Sequence, residues 1–168
     1  EDLKVHLWTT FEQGLSARAL RKYLKLLPDF DDVEAEERAL DAVETYPRLS
    51  AAISFLVDWP ALDRAARVVL ARADELDGDN YPTLSHAAEA LEARHPLAAT
   101  LLRRAMVEDT LKGAKSTRYR HAARHLAECE ALERAITDYG AVLTHDEFVA
   151  ALRQKHGRKY GFWSLVDG

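Results

Sequence analysis

Three stretches of the chain align with one another at a spacing of 35 residues, and this period constrains the fold more than any local motif does. A fixed period between about 20 and 50 residues is typical of repeat arrays, in which each unit buries its apolar face against its neighbour. The aligned stretches are 46–53, 81–88 and 116–123, and two further columns hold Leu56, Leu91 and Leu126, then Leu62, Leu97 and Leu132.

Within each repeat, apolar residues recur at i, i+3, i+4 and i+7, which is the spacing of one helix face. The run from Leu84 to Leu91 shows this pattern, and no segment has the alternation of a β-strand. Pro60 and Pro96 fall between paired helices near the same phase of the repeat. The pattern therefore predicts an all-α, TPR-like solenoid of stacked helix hairpins, with about eleven helices and no β-sheet.

The length of 168 residues suits a single helical-repeat domain with three parts. We expect leading helices in residues 1–45, three helix pairs of about 35 residues in residues 46–151, and a C-terminal capping segment in residues 152–168. The chain opens at Glu1 without an initiator methionine, so we expect a C-terminal fragment of a longer protein, with further helices before it.

Several residues predict where individual helices begin and how the array is closed. Ser16 has the side chain of a helix N-cap, and Thr144 with Glu147 has the spacing of a capping box. A solenoid exposes an apolar face at its end. Phe162 and Trp163 follow the last repeat, so we expect them to cover that face.

The composition excludes several classes of protein. The formal net charge of −5 argues against nucleic acid as the main partner. A single cysteine rules out a disulfide within the chain and fits a reducing, cytoplasmic compartment. No apolar run reaches the length of about 18 residues that crosses a bilayer, so we expect no membrane association.

The repeats resemble tetratricopeptide (TPR) repeats, whose first helix has large and small residues at the same four spacings. The period is 35 where 34 is usual, and the proline that closes a typical repeat is missing. In the second helix of each pair the small position holds Ala65, Thr100 and Ala135, while the large position holds Val69, Arg104 and Tyr139.

Three segments, 27–36, 98–106 and 152–163, look like an uncharacterised and mostly proteobacterial family of helical proteins. The last segment also resembles the helical tail of bacterial proteins with a SWIM-type zinc finger. The finger itself is absent, because one cysteine cannot supply its ligands. The resemblance implies a helical fold and a bacterial origin, and it implies no activity and no functional residue.

A candidate metal site lies on one predicted helix. Because His121, His125 and Cys129 lie at i, i+4 and i+8, one side of that helix could present three metal ligands. The alternative is structural. Cys129 lies close to the apolar stripe that contains Leu126, where a lone cysteine usually behaves as a small hydrophobic residue. We favour the structural interpretation and expect no bound metal.

Residues 29–44 carry eight acidic side chains against one base, Arg38. A carboxylate cluster for metal binding or hydrolysis is one interpretation. A helix start with a solvated acidic face is the favoured one, since carboxylates stabilise the positive end of a helix. The acidic residues are Asp29, Asp31, Asp32, Glu34, Glu36, Glu37, Asp41 and Glu44.

Two basic stretches, the loop 112–124 and the tail 153–159, indicate a possible surface for single-stranded nucleic acid, because aromatic residues follow the tail. The alternative is that the bases complement helix ends and the aromatics form a core. The candidate patch is Lys112, Lys115, Arg118, Arg120, Arg124, Lys155, Arg158 and Lys159, with Arg153 beside the tail.

The chain contains neither a glycine-rich phosphate loop nor a G-x-S-x-G nucleophile elbow. We therefore expect a non-enzymatic protein-interaction or scaffold module without a cofactor, which holds a protein or peptide partner in a groove. A helical module associated with nucleic acid is the second hypothesis. A metal-dependent enzyme that uses the two histidines and the cysteine is the third.

Overall fold

A computed structural model describes all 168 residues and confirms the all-α fold, since it contains ten α-helices, three short 3₁₀ turns and no strand. None of the helices is both long and apolar enough to cross a bilayer. The helices are α1 (Asp2–Gly14), α2 (Ala17–Lys25), α3 (Asp31–Glu44), α4 (Leu49–Asp58), α5 (Leu62–Ala71), α6 (Tyr81–Leu91), α7 (Pro96–Lys112), α8 (Tyr119–Leu132), α9 (His145–His156) and α10 (Tyr160–Asp167). The 3₁₀ turns are Ala73–Glu75, Ser116–Arg118 and Glu133–Ala135.

The chain divides into two compact units, residues 1–68 and 69–168, and the boundary lies within α5. Both units contain fully buried apolar side chains, for example Phe11 in the first and Leu102 in the second. The organisation into one repeat domain with three helix pairs stays a prediction.

In the first unit, α2 begins at the N-cap that the sequence predicts. The Ser16 hydroxyl accepts a hydrogen bond of 3.1 Å from the amide of Ala19, which confirms this N-cap. The ring of Phe11 is fully buried against Phe55 at a centroid distance of 5.7 Å. Leu20 is also fully buried, so aromatic and aliphatic side chains from α1, α2 and α4 form this core.

In the second unit, α7 packs extensively against both α6 and α8. Its side chains Leu102, Val107 and Leu111 are completely buried. Pro96 occupies the first helical position of α7, where the missing amide hydrogen of proline costs nothing. The length and central place of α7 make it the element that fixes the positions of both neighbouring helices.

The third helix pair lacks its expected second helix. Residues 133–135 form a 3₁₀ turn, and the chain stays irregular up to the capping box at Thr144, so the structure has ten α-helices where the sequence predicts about eleven. The Asp138 side chain accepts a hydrogen bond of 2.8 Å from the Gly140 amide, which competes with helical hydrogen bonding. Gly140 also has φ 57°, outside the helical region.

The C-terminal helix confirms the predicted packing of its two aromatics. Phe162 is fully buried, and Trp163 is 6% exposed and donates from Nε1 to the carbonyl of His156 at 2.9 Å. Both belong to a core cluster with Leu111 and Leu126, so α10 covers the apolar side of α7 and α8.

Candidate functional site

A cavity of about 290 Å³ lies in the second unit, among α6, α7, α8 and the 3₁₀ turn that precedes α8. This volume is close to the lower end of the range typical for ligand pockets. The lining residues are Gly78, Tyr81, Ser85, Met106, Thr110, Thr117, Arg118, His121, Ala122, Arg124 and His125. We call this space the α8 cavity.

Gly78 forms part of the wall because the loop before α6 passes very close to α7. A Cβ atom at Gly78 would lie 2.1 Å from the Ala105 carbonyl oxygen and 2.6 Å from the Cβ of Asp109. No side chain fits at such a separation, so this position requires glycine. The close approach positions the start of α6 against α7.

His125 is the most buried ionisable side chain of the wall, with 9% of its surface exposed. Its Nδ1 lies 2.8 Å from Oε1 of Glu128, one turn further along α8. A carboxylate only accepts hydrogen bonds, so the proton of the neutral ring resides on Nδ1. Burial lowers the pKa of His125, which keeps the ring neutral at pH 7. Nε2 is therefore an acceptor without a protein partner at the cavity wall.

A buried arginine from α7 holds Glu128 in place. The Arg103 side chain is 4% exposed, and its Nε lies 3.4 Å from Oε1 of Glu128. Its Nη2 donates to Oε2 of Glu92 at 2.7 Å. Glu92, which follows α6, and Arg103 of α7 thus fix the carboxylate that orients His125.

Arg118 stands at the mouth of the cavity and is held from two sides. Its Nη1 donates to Oδ1 of Asp79 at 3.0 Å, and its guanidinium carbon lies 5.0 Å from the ring centre of Tyr81. Lys115 donates to the same Asp79 oxygen at 2.8 Å. These contacts lower the pKa of Asp79 through its hydrogen bond to Lys115 first and then to Arg118. The guanidinium keeps Nε and Nη2 for a ligand.

Hydroxyl groups supply the remaining polar wall. Thr110 is 6% exposed, and its side-chain hydroxyl has no hydrogen-bond partner in the protein, whereas its backbone carbonyl accepts from the Lys115 amide. Ser85 donates weakly to the sulfur of Met106 at 3.5 Å, and Thr117 lies at the exposed edge. The lining thus combines two arginines, two histidines and four hydroxyls, the fourth being that of Tyr81, with no carboxylate.

The candidate metal ligands do not converge. His121 is exposed and lines the cavity with His125, whereas Cys129 is 1% exposed and its sulfur lies 3.8 Å from the Thr100 carbonyl. Burial raises the pKa of the Cys129 thiol to about 12. No group of three or more histidine, cysteine or acidic side chains is arranged to hold a metal ion.

Part of the acidic stretch of α3 packs against basic side chains of α5 within the first unit. Arg64 donates to Glu37 at 2.6 Å, to Asp41 at 2.8 Å and to Glu44 at 2.7 Å. Glu44 also accepts from Arg67, and this hydrogen bond is the main cause of its lowered pKa. The stretch therefore supplies an ion-pair network between two helices.

The predicted basic patch is divided by the fold. Arg118 and Arg124 line the α8 cavity, while Arg120 is exposed on the same helix away from it. In the tail, Arg153 pairs with Asp167 at 2.7 Å and stacks over Trp163. The other bases line no part of the α8 cavity: Lys112, Lys155 and Arg158 are exposed, and Lys159 is half-buried.

Sequence reasoning missed the side chains that orient His125 and shape the wall. Glu128 follows His125 by three residues, a spacing that brings two side chains together on a helix and was visible in the sequence. Arg103 and Thr110 could not be found in this way, because their roles depend on how α7 packs against α8.

The structure is that of an all-α protein whose second unit contains a cavity of about 290 Å³ lined by two arginines and two histidines. A family model described as DUF6880, a family of unknown function, matches residues 1–165, and the chain belongs to that family. This agrees with the predicted membership of an uncharacterised family. Comparisons with curated proteins and with solved structures give no match.

Proposed function

We propose that the protein is a non-enzymatic interaction module whose α8 cavity takes an anionic side chain of a partner protein. The observation that carries this proposal is the charge of the wall. Arg118 and Arg124 line the cavity and no carboxylate does; Arg118 shares Asp79 with Lys115, whereas Arg124 has no ion-pair partner, and the chain as a whole has a net charge of −5. A local positive field in an acidic protein favours an anionic ligand there and repels it elsewhere.

The dimensions of the cavity favour one side chain and its flanking backbone over an extended nucleic acid. Single-stranded nucleic acid needs a positively charged groove that follows several nucleotides. Here Lys115 is engaged by Asp79 and Asp109, at 2.8 Å each, which interrupts the basic surface beside the cavity. Tail bases such as Lys155 lie outside the cavity lining. Nucleic-acid binding therefore stays the second hypothesis.

We also propose a TPR-like arrangement of the helices, a cytoplasmic location and a bacterial origin. A TPR-like arrangement of the helix pairs would present the cavity as part of a binding surface. A cytoplasmic location is supported by the single cysteine, and a bacterial origin by the resemblance of the three segments described above.

Amide NMR spectra of the ¹⁵N-labelled protein test the proposal. The probes are an end-capped hexapeptide with one central glutamate, its glutamine counterpart, and a hexathymidylate. We expect the glutamate peptide alone to shift the resonances of residues that line the cavity, such as Ala122. Arg124→Gln should weaken this binding about tenfold, the value of one charge-assisted hydrogen bond.

Arg120→Gln is the matched control, because Arg120 has the same charge on the same helix but does not line the cavity. Equal weakening by both variants would mean that net charge, and not the cavity, binds the peptide. Saturable shifts with hexathymidylate that fall steeply with salt would replace the proposal with the nucleic-acid hypothesis.

A further inference from the structure

We propose that the anionic group selected by the α8 cavity is a phosphate monoester, in the simplest case a phosphorylated side chain of the partner. This inference rests on the proposed function and names the chemistry of its ligand. It depends on three features of the wall: the number of donors, the free acceptor on His125, and the position of the start of α8.

The wall offers more hydrogen-bond donors than one carboxylate can use. Arg118 keeps Nε and Nη2, Arg124 has no ion-pair partner, and hydroxyls come from Ser85, Thr110 and Thr117. A carboxylate presents two oxygens in one plane, whereas a phosphate monoester presents three terminal oxygens in a tetrahedral arrangement. Donors that arrive from three helices and a turn match the tetrahedral group.

The free nitrogen of His125 adds a second requirement. Because Glu128 holds the proton on Nδ1, Nε2 needs a ligand that brings its own hydrogen. A phosphate monoester with its second pKa near 6 can carry this hydrogen at neutral pH, but a glutamate carboxylate cannot. His125 therefore discriminates between the two anions.

The charged groups around His125 determine how the proton is shared. Glu128 and Arg124 lie on its own helix, Arg103 approaches from α7, and Glu92, the residue that follows α6, pairs with Arg103. Glu128 stabilises a protonated ring, while the two arginines oppose it. With the ring neutral, the shared hydrogen resides on the phosphate and Nε2 accepts it, so a phosphate dianion takes up one proton when it binds.

The first turn of α8 contributes its own positive potential. No side chain accepts a hydrogen bond from the start of this 14-residue helix, which begins at Tyr119. Thr117 and His121 line the cavity on either side of that start. The Tyr119 amide already donates to the Ser116 carbonyl, so this end contributes the positive end of the helix dipole, which favours phosphate, beside the arginines of the cavity.

A panel of hexapeptides with one variable central residue tests the inference by isothermal titration calorimetry. The residue is phosphoserine, glutamate or serine, and inorganic phosphate serves as a separate probe. We expect the phosphoserine peptide to bind at least tenfold more tightly than the glutamate peptide. We also expect the heat at neutral pH to depend on the buffer, because the complex takes up a proton from it.

Two variants locate the effect. His125→Gln should reduce the preference for phosphoserine over glutamate to about twofold, and Thr110→Val should weaken phosphoserine binding severalfold without changing glutamate binding. Arg120→Gln should leave both affinities unchanged. Thr110→Val preserves side-chain shape, so it tests the inference independently if the histidine variant fails to fold, which circular dichroism would show.

The possible binding results separate the phosphate inference from the proposed function. Equal binding of phosphoserine and glutamate peptides overturns the inference and leaves the proposed function standing. If inorganic phosphate binds as tightly as the phosphopeptide, the result supports a phosphate site. It overturns the role of a partner protein, because the ligand would then be a free phosphorylated compound. Failure of every probe to bind overturns both proposals.

Discussion

Oε1 of Glu128 lies 2.8 Å from Nδ1 of His125, so a carboxylate one helical turn away sets the tautomer of the most buried ionisable side chain in the α8 cavity. Burial lowers the pKa of His125, while the hydrogen bond to Glu128 acts in the opposite direction. Burial prevails, because the ring has only 9% of its surface in contact with solvent.

This pair predicts how the free energy of unfolding depends on pH. In the unfolded chain His125 titrates near its ordinary value of 6.5, and in the native protein it titrates lower. The unfolded state therefore binds more protons between these values, so the stabilisation is complete above about pH 6.5 and is lost as the pH falls below it. Urea unfolding at pH 7.5 and pH 5.0 measures the difference.

The His125→Gln variant should lose less stability than wild type over the same pH interval. His156 also has a lowered pKa, caused first by burial, and it stays present in both proteins as a common background. His6→Gln is the control, because His6 is exposed in the first unit. If the His125→Gln variant loses as much stability as wild type between pH 7.5 and pH 5.0, groups other than His125 cause the loss.

The close contact at Gly78 predicts a destabilised Gly78→Ala variant. Its new methyl group would meet the Ala105 carbonyl oxygen, and a backbone atom cannot turn away as a flexible side chain can. We expect a loss of about 1 to 3 kcal/mol in the free energy of unfolding, typical of overpacking. Gly14→Ala is the control, because no heavy atom lies within 4 Å of its Cβ position. Similar stabilities for both variants would contradict the close contact.

The buried thiol predicts that Cys129 is inert in the native protein. Burial raises its pKa to about 12, and only the thiolate reacts with disulfide reagents. With Ellman's reagent at pH 8 we expect no rapid reaction before guanidinium is added and one thiol per chain afterwards. An Ala127→Cys control places a thiol on the exposed face of α8 and should react at once. Equal rates at both positions would contradict the burial of Cys129.

Features that depend on a few neighbouring residues could be predicted from the sequence. Ser16 caps α2 and Thr144 forms a capping box with Glu147, because each contact closes within three residues. The segment after α8 departs from the repeat pattern for a local reason too. The repeat columns continue through Ala135, but α8 ends at Leu132, and further along the Gly140 amide donates to the Asp138 side chain instead of to a helical carbonyl.

The candidate site was predictable only in part. The i, i+4 spacing of His121 and His125 correctly placed both on one side of α8, where they line the same cavity. Cys129 continues the spacing, yet it turns toward the Thr100 carbonyl because the helix face rotates into the core. The support from Arg103 arises from the packing of α7 on α8, which no local pattern encodes.

The C-terminal helix predicts a large difference between two neighbouring aromatic residues. Phe162 is fully buried, with its ring centre 5.9 Å from that of Tyr119, while Tyr160 is 75% exposed. Phe162→Ala removes a ring from a packed core, and such changes cost about 3 to 5 kcal/mol. Tyr160→Ala leaves no cavity and should change the free energy of unfolding by less than about 0.5 kcal/mol. Thermal and urea unfolding of the two variants measure this contrast.

Since neither residue lines the α8 cavity, the Tyr160 variant should also bind the glutamate peptide as wild type does. A stable Phe162 variant that has lost peptide binding would instead show that the tail is a binding surface and that its packing contributes little.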